Sequence, residues 1–163
     1  MSVIFNRTSV RKYENKEVEA EKIELLLKAA MAAPSAANQQ PWEFFVVKNK
    51  ETLAALADCS TYGGCIKDAA VAIVPVYRKE MMMPEFANID MAAATQNILL
   101  EVTELGLGAV WIGIAPLADR MENVRKVLNV PEHLTPYAII PIGYPVADAK
   151  QQDRFDATRV HFE

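Results

Sequence analysis

Two short stretches carry residue types suited to holding a ligand. The first, Arg7-Thr8-Ser9-Val10-Arg11, sets two guanidinium groups and two hydroxyls within five residues. Guanidinium offers planar, fixed pairs of donors and a hydroxyl offers a rotatable one, a set that matches the oxygens of a phosphate dianion. The second, Pro34-Ser35-Ala36-Ala37-Asn38-Gln39-Gln40-Pro41-Trp42, groups carboxamides just before an aromatic residue. Carboxamides both donate and accept, so they complement the mixed edge of a planar heterocycle. Taken singly, each stretch also reads as something plainer: a solvated basic strand, and an ordinary loop punctuated by Pro, Ser and Asn. Their joint occurrence points to one phosphorylated, ring-bearing ligand.

Other chemistries find less support. His133 and His161 are the only histidines, and neither stands in a nucleophile–base arrangement, which argues against a hydrolase. Cys59 and Cys65 are six residues apart without a CxxC spacing, so they specify neither a metal site nor a redox pair and are read as reduced thiols. No G-x-G-x-x-G is present; Gly106-Leu107-Gly108 precedes an expected strand rather than joining a strand to a helix, so no Rossmann half-domain is expected to hold NAD(P)H. Sparse acid–base groups suit redox chemistry carried by a cofactor, with the protein supplying position and electrostatics. Lys67 or Arg11 is the candidate cation for the electron-rich edge of a reduced ring.

The elements that must position these residues follow from periodicity. Ile23, Leu26, Leu27 and Ala30 recur at helical spacing, with Glu19 and Glu21 at the start and Pro34 at the end, predicting a helix over 18–33. Residues 43–47 (EFFVV) predict a strand and 51–58 a short helix. The run 70–77 (AVAIVPVY) predicts a strand covered on both faces, with Pro75 arguing for an edge position or a strand end there. Asn88 is the expected cap of a long helix to Leu105 whose apolar residues point nearly all round. A strand over 109–115 (AVWIGIA), a helix from Leu117 to Asn129 stopped by Pro131, and a strand over 137–144 (YAIIPIGY) complete the core. Arg159-Val160-His161-Phe162 is a possible edge strand in a polar tail, and Lys79–Phe86, with three methionines, is either an adaptable wall over a site or apolar filler.

Composition narrows the partners. With 163 residues and no repeat or low-complexity linker, a single domain over 1–163 is expected, and its 52% hydrophobic content leaves an apolar surplus that favours oligomerisation. A net charge of −4 without a basic run argues against nucleic acid. Met1–Arg7 lacks a signal-peptide apolar core and no stretch nears the roughly 20 apolar residues that span a bilayer, so no membrane is expected and the cytoplasm is the default location.

Five motifs in order carry a resemblance over nearly the whole chain. They are Arg7–Tyr13, Pro34–Trp42, Ala93-Ala94-Thr95-Gln96-Asn97-Ile98-Leu99-Leu100, Leu105–Gly113, and Leu128–Glu132 with Ile140–Pro145. The chain resembles a compact member of the FMN-dependent nitroreductase family. The resemblance implies an α+β three-layer α/β/α sandwich with a central, mostly antiparallel sheet, and an obligate homodimer with FMN at the subunit interface and the long apolar helix as dimer core. It implies that Arg7, Thr8, Ser9 and Arg11 hold the FMN phosphate and ribityl chain, and that Pro34, Ser35, Asn38 and Gln40 reach the flavin of the opposite subunit.

The resemblance further implies that the backbone at Trp111, Ile112, Gly113 and Ile114 faces the ring and that Arg154 is a second phosphate residue. A glycine at 113 would let a planar ring come close, the alternative being a strand glycine packed against a helix. Two departures stand out: Gln152 replaces a basic residue, with Arg159 as a substitute, and Tyr62, Gly63, Gly64 and Cys65 replace polar side chains of larger members. The implied activity is NAD(P)H-driven, ping-pong reduction of nitroaromatics, quinones or related small electron acceptors. The alternative is a flavin-binding protein or flavin carrier without such turnover.

Overall fold

The computed structural model describes residues 2–147 and 153–163. A short helix, α1 (Val3–Asn6), precedes α2 (Ala20–Met31), β1 (Trp42–Val47), α3 (Lys50–Ala57), β2 (Val71–Arg78) and α4 (Ala87–Glu104). Then come β3 (Gly108–Ala109), β4 (Ile112–Gly113), α5 (Ala118–Leu128), β5 (Leu134–Pro136) and β6 (Ala138–Gly143). The sheet runs β1-β2-β6-β3, with β4 also on β6 and β5 also on β2, and every strand pair is antiparallel.

Side-chain alternation builds the layers. Along β2, Val71 and Ile73 join one core cluster while Ala72, Val74 and Val76 join the other; along β6, Ala138, Ile140 and Ile142 face the first and Ile139 the second. The first cluster is closed by Ile23, Leu26 and Ala30 of α2 and by Met91, Ala94, Ile98 and Val102 of α4. The second is closed by Leu53 and Leu56 of α3 and Val124 of α5. Each fully buried Ile, Leu or Val contributes about 1.5–3 kcal/mol of transfer free energy, so both faces of the sheet are strongly covered. The fold is therefore an α+β sandwich of helix, antiparallel sheet and helix, as expected.

Several local expectations need correction. Pro75 lies in an interior strand and not at an edge: β2 has β1 on one side and, on the other, β6 at residues 71–73 and β5 at 76–78. The proline, which cannot donate, occupies the gap where that second partner changes, and its carbonyl accepts from Tyr137 N at 3.0 Å. The expected strand over 109–115 is two short ones in one continuous register on β6. Their break at Val110–Trp111 lies opposite Pro141 and Ile140, and Pro141 has no N–H to offer the ladder. Asn88 does not cap α4; Phe86 precedes the helix without a side-chain cap, after a 3-10 turn at Pro84–Phe86. Residues 160–163 form no strand, since the described tail meets no sheet edge of its own chain and makes only a 3-10 turn at Ala157–Arg159. Sequence periodicity also missed α1 and β5, both too short to show a period. Among the described residues no helix is long and apolar enough to cross a membrane.

Candidate cofactor site

The run 7–13 lies along the β3 edge of the sheet. Ser9 bridges Ala109, and Val10 N donates to the Ala109 carbonyl at 2.8 Å. This contact is close because Gly108 has no side chain: a Cβ there would sit 2.7 Å from Val10 Cγ1. Tyr13 locks the far end, its buried hydroxyl donating to the carbonyls of Val10 at 2.8 Å and Pro141 at 3.2 Å. Burial, aided by the nearby Cys65 thiol, pushes the Tyr13 hydroxyl well above its ordinary titration range, so it remains a donor.

Beyond that anchor the run turns cationic. Arg11, Lys12, Lys50 and Lys67, with Asp68 as the only acid among the described residues, line a cavity of about 520 Å³ together with Tyr13, Asn15 and Val146. Lys50 is partly committed, since its ammonium donates to the Ala69 carbonyl at 2.9 Å. Among the described residues neither the Arg7 nor the Arg11 guanidinium takes a hydrogen bond or an ion pair. Arg11 also lies near Cys65, whose thiol is pushed up by burial and drawn back by a backbone hydrogen bond and by that positive charge, and Lys67 from the same 3-10 segment (Gly63–Asp68) lines the cavity. A smaller neighbouring depression of about 280 Å³ mixes Glu14, Glu17 and Asp68 with lysines and has no such excess of one sign.

Two residues on from β3, the chain offers an open backbone. Ile112 and Ile114 are buried in the α3/α5 layer, and Trp111 packs edge-on against Tyr137 with ring centroids 5.8 Å apart. Gly113 lies between them, and among the described residues a Cβ built on it meets no atom within 4 Å. The glycine is therefore not packed against a helix, and the space over it is free. Arg120 holds this strand from outside, donating to the Gly113 carbonyl at 2.9 Å while its guanidinium stands over the Tyr62 ring.

The loop 34–42 is anchored elsewhere, to Asp90, Met83 and Arg78, none of which lines the Arg11 cavity. Pro34, Asn38 and Gln40 are exposed and Ser35 half-buried, with Ser35 Oγ accepting from Gln40 N at 3.0 Å. Arg154 is exposed in the tail, and Arg159 is tied locally to Asp156 at 3.0 Å. Gln152 lies outside the described residues. Sequence reasoning missed the anchors themselves. Asp90 had a visible signal, an acid inside the core-facing stripe of Ala87, Met91 and Ala94; Gln39 and Arg120 had none.

An antiparallel sheet between two helical layers, with a cationic cavity lined by the 11–13 run and an open glycine on β4, places the molecule in the nitroreductase fold class. The sequence model described as "Nitroreductase family" matches residues 4–61 and 61–144, and the chain belongs to that family. It is 43% identical, over its whole length and 86% of the other, to a Methanothermobacter thermautotrophicus protein provisionally named NADH dehydrogenase/NAD(P)H nitroreductase. An FMN-dependent nitroreductase from Clostridium difficile superposes with a TM-score of 0.91 at 36% identity, covering 99% of this chain and 97% of that one. A provisionally named nitroreductase from Desulfovibrio desulfuricans, solved in complex with FMN, gives 0.84 at 30% identity, covering 99% and 94%.

Proposed function

We propose that this chain is an FMN-dependent oxidoreductase that takes reducing equivalents from NAD(P)H and passes them to nitroaromatics, quinones or related small acceptors, as a cytoplasmic homodimer. The carrying observation is the cavity where Arg11, Lys12 and Lys67 gather with, among the described residues, Asp68 alone to balance them. Its volume falls in the range of small-molecule sites, roughly 300–1,000 Å³. Like charges gathered in this way repel, and a phosphate dianion relieves that repulsion through charge-assisted hydrogen bonds. The donor set and the free space over Gly113 both fit FMN.

In this reading Arg7, Thr8, Ser9 and Arg11 hold the phosphate and ribityl chain, and Arg154 adds a further cation. The backbone N–H of Gly113 donates to the ring edge, that of Ile114 being spent on the Tyr137 carbonyl at 3.3 Å, while Trp111, packed on Tyr137, stiffens that strand. Pro34, Ser35, Asn38 and Gln40 reach the ring of the opposite subunit. The outer face of α4, where Ile89 is 62% exposed, forms the dimer core. Bound FMN supplies hydride transfer from NAD(P)H to the acceptor, the two substrates using one pocket in turn, a ping-pong order. Lys67 or Arg11 would supply the positive field that favours the negative charge reduction places on the ring.

Colour and its loss test this. The purified protein should be yellow, or become yellow with added FMN, and should bleach when NADH or NADPH is added without oxygen. A protein that takes up no FMN overturns the reading; a yellow one that neither nucleotide bleaches is a flavin carrier instead.

A further inference from the structure

Asp90 is an acid in the wrong place for a solvated helix residue. It is 3% exposed, in the first turn of α4, and no cation pairs with it among the described residues. A buried carboxylate is costly unless its oxygens are satisfied. Both are, and both by the 34–42 loop: Oδ1 accepts from Ala36 N at 2.9 Å and Oδ2 from Gln39 Nε2 at 2.6 Å.

Gln39 carries the connection further. The same Nε2 donates to the Met83 carbonyl at 3.1 Å, and Gln39 Oε1 accepts from Met83 N at 2.9 Å. Turning the carboxamide over would oppose oxygen to oxygen at both Asp90 and Met83, so the acid and the Met83 backbone together fix its orientation. The loop needs such fixing. Ala37, Asn38 and Gln40 have φ of 48°, 53° and 45°, a left-handed region that disfavours residues with a side chain. Strain of this kind persists only where the surroundings over-determine it.

We propose that Asp90 is a positioning residue: as a two-oxygen acceptor it locks the strained 34–42 loop and, through Gln39, the backbone at Met83 into one unit, so that the loop and the methionine segment order together. This rests on the proposed FMN site in one respect, that the loop presents Ser35 and Asn38 to the flavin. The lock itself does not depend on it.

The test is amide hydrogen exchange on wild type and Asp90→Asn, with and without FMN, beside FMN titration and thermal melting. The substituted carboxamide keeps the shape of the acid but turns an N–H₂ toward a donor. In apoprotein the variant should speed exchange at Ala36 and at Met83 together, while β2 and β6 amides stay unchanged, a selectivity that a general loss of stability would not give. FMN should slow exchange at Met83 in wild type and not in the variant, whose FMN affinity should fall about tenfold or more, as for a lost hydrogen bond to a charged group. If Asp90→Asn does not fold, Gln39→Ala replaces it: Met83 should then exchange faster while Ala36 stays protected. Wild-type exchange at Met83 in the variant tested overturns the lock. Failure of the wild type to take up FMN overturns the proposed function alone, because the apoprotein exchange still decides the lock.

Discussion

The two ligand-suited stretches, 7–11 and 34–42, are built on opposite principles. In the first, backbone contacts to Ala109 and the Tyr13 hydroxyl fix the chain, while the Arg7 and Arg11 guanidinium groups have no hydrogen bond or ion pair among the described residues. In the second, the chain is strained and its polar groups are consumed internally by Asp90, Met83 and Arg78. One region leaves charge unpaired around a cavity; the other spends hydrogen bonds to hold a shape. In the proposed function the first attracts a ligand and the second presents itself to one. Substitutions in the two should therefore fail differently.

The largest contrast is between two glycines on the β3–β4 stretch. Gly113→Val adds a side chain where no atom of the described residues lies within 4 Å, so folding should be retained while bound flavin is lost on purification. Flavin content equal to wild type would remove Gly113 from the site. Gly108→Ala drives a Cβ into Val10, so it should lower the melting temperature by the overpacking cost of about 1–3 kcal/mol. An unchanged melt would mean that the 7–11 run is not seated on β3.

Next in size is Arg7→Ala, expected to weaken FMN binding by about 1.5–3 kcal/mol with an unchanged circular dichroism spectrum, the scale of one charge-assisted hydrogen bond. Unchanged affinity in a dilution series would take the phosphate role from Arg7. The smallest effect concerns neither region but the contact between Glu19, at the start of α2, and Tyr144, after β6. The Tyr144 hydroxyl reaches both Glu19 oxygens at 2.7 and 2.8 Å and, with Lys22 and Lys16 adding less, holds that exposed carboxyl below its ordinary range. A value lower in the folded than in the unfolded chain stabilises fully above the ordinary carboxylate range, and that stabilisation is lost as pH falls through the lowered value. Tyr144→Phe should thus narrow, slightly, the gap between neutral and acid melting temperatures; an identical pH profile would show that the contact has no weight.

Much of the architecture was legible because burial leaves a period. Helices over 20–31 and 118–128 and the strands over 71–78 and 138–143 lie within a residue or two of where apolar spacing put them. What escaped was decided by partners. Pro75 reads as an edge signal, yet an interior strand accepts it where its neighbour changes from β6 to β5. The 109–115 run reads as one strand, yet Pro141 on a different strand interrupts it. At the site, Arg11 and Lys67 were named from their chemistry and line the same cavity. The left-handed backbone of Ala37, Asn38 and Gln40 was hidden, since no glycine announces it, and so was the carboxylate, 51 residues beyond Gln39, that holds it.

The central claim is that the two stretches serve one flavin from different subunits. Co-expressed chains, one carrying Arg7→Ala and Arg11→Ala and the other Ser35→Ala and Asn38→Ala, test it through the hybrid dimer isolated by two affinity tags. The account predicts that this hybrid regains one intact site and binds half the wild-type complement of FMN at wild-type affinity, although neither parent binds tightly. A hybrid as weak as its parents, or a folded monomer that holds flavin, would contradict it.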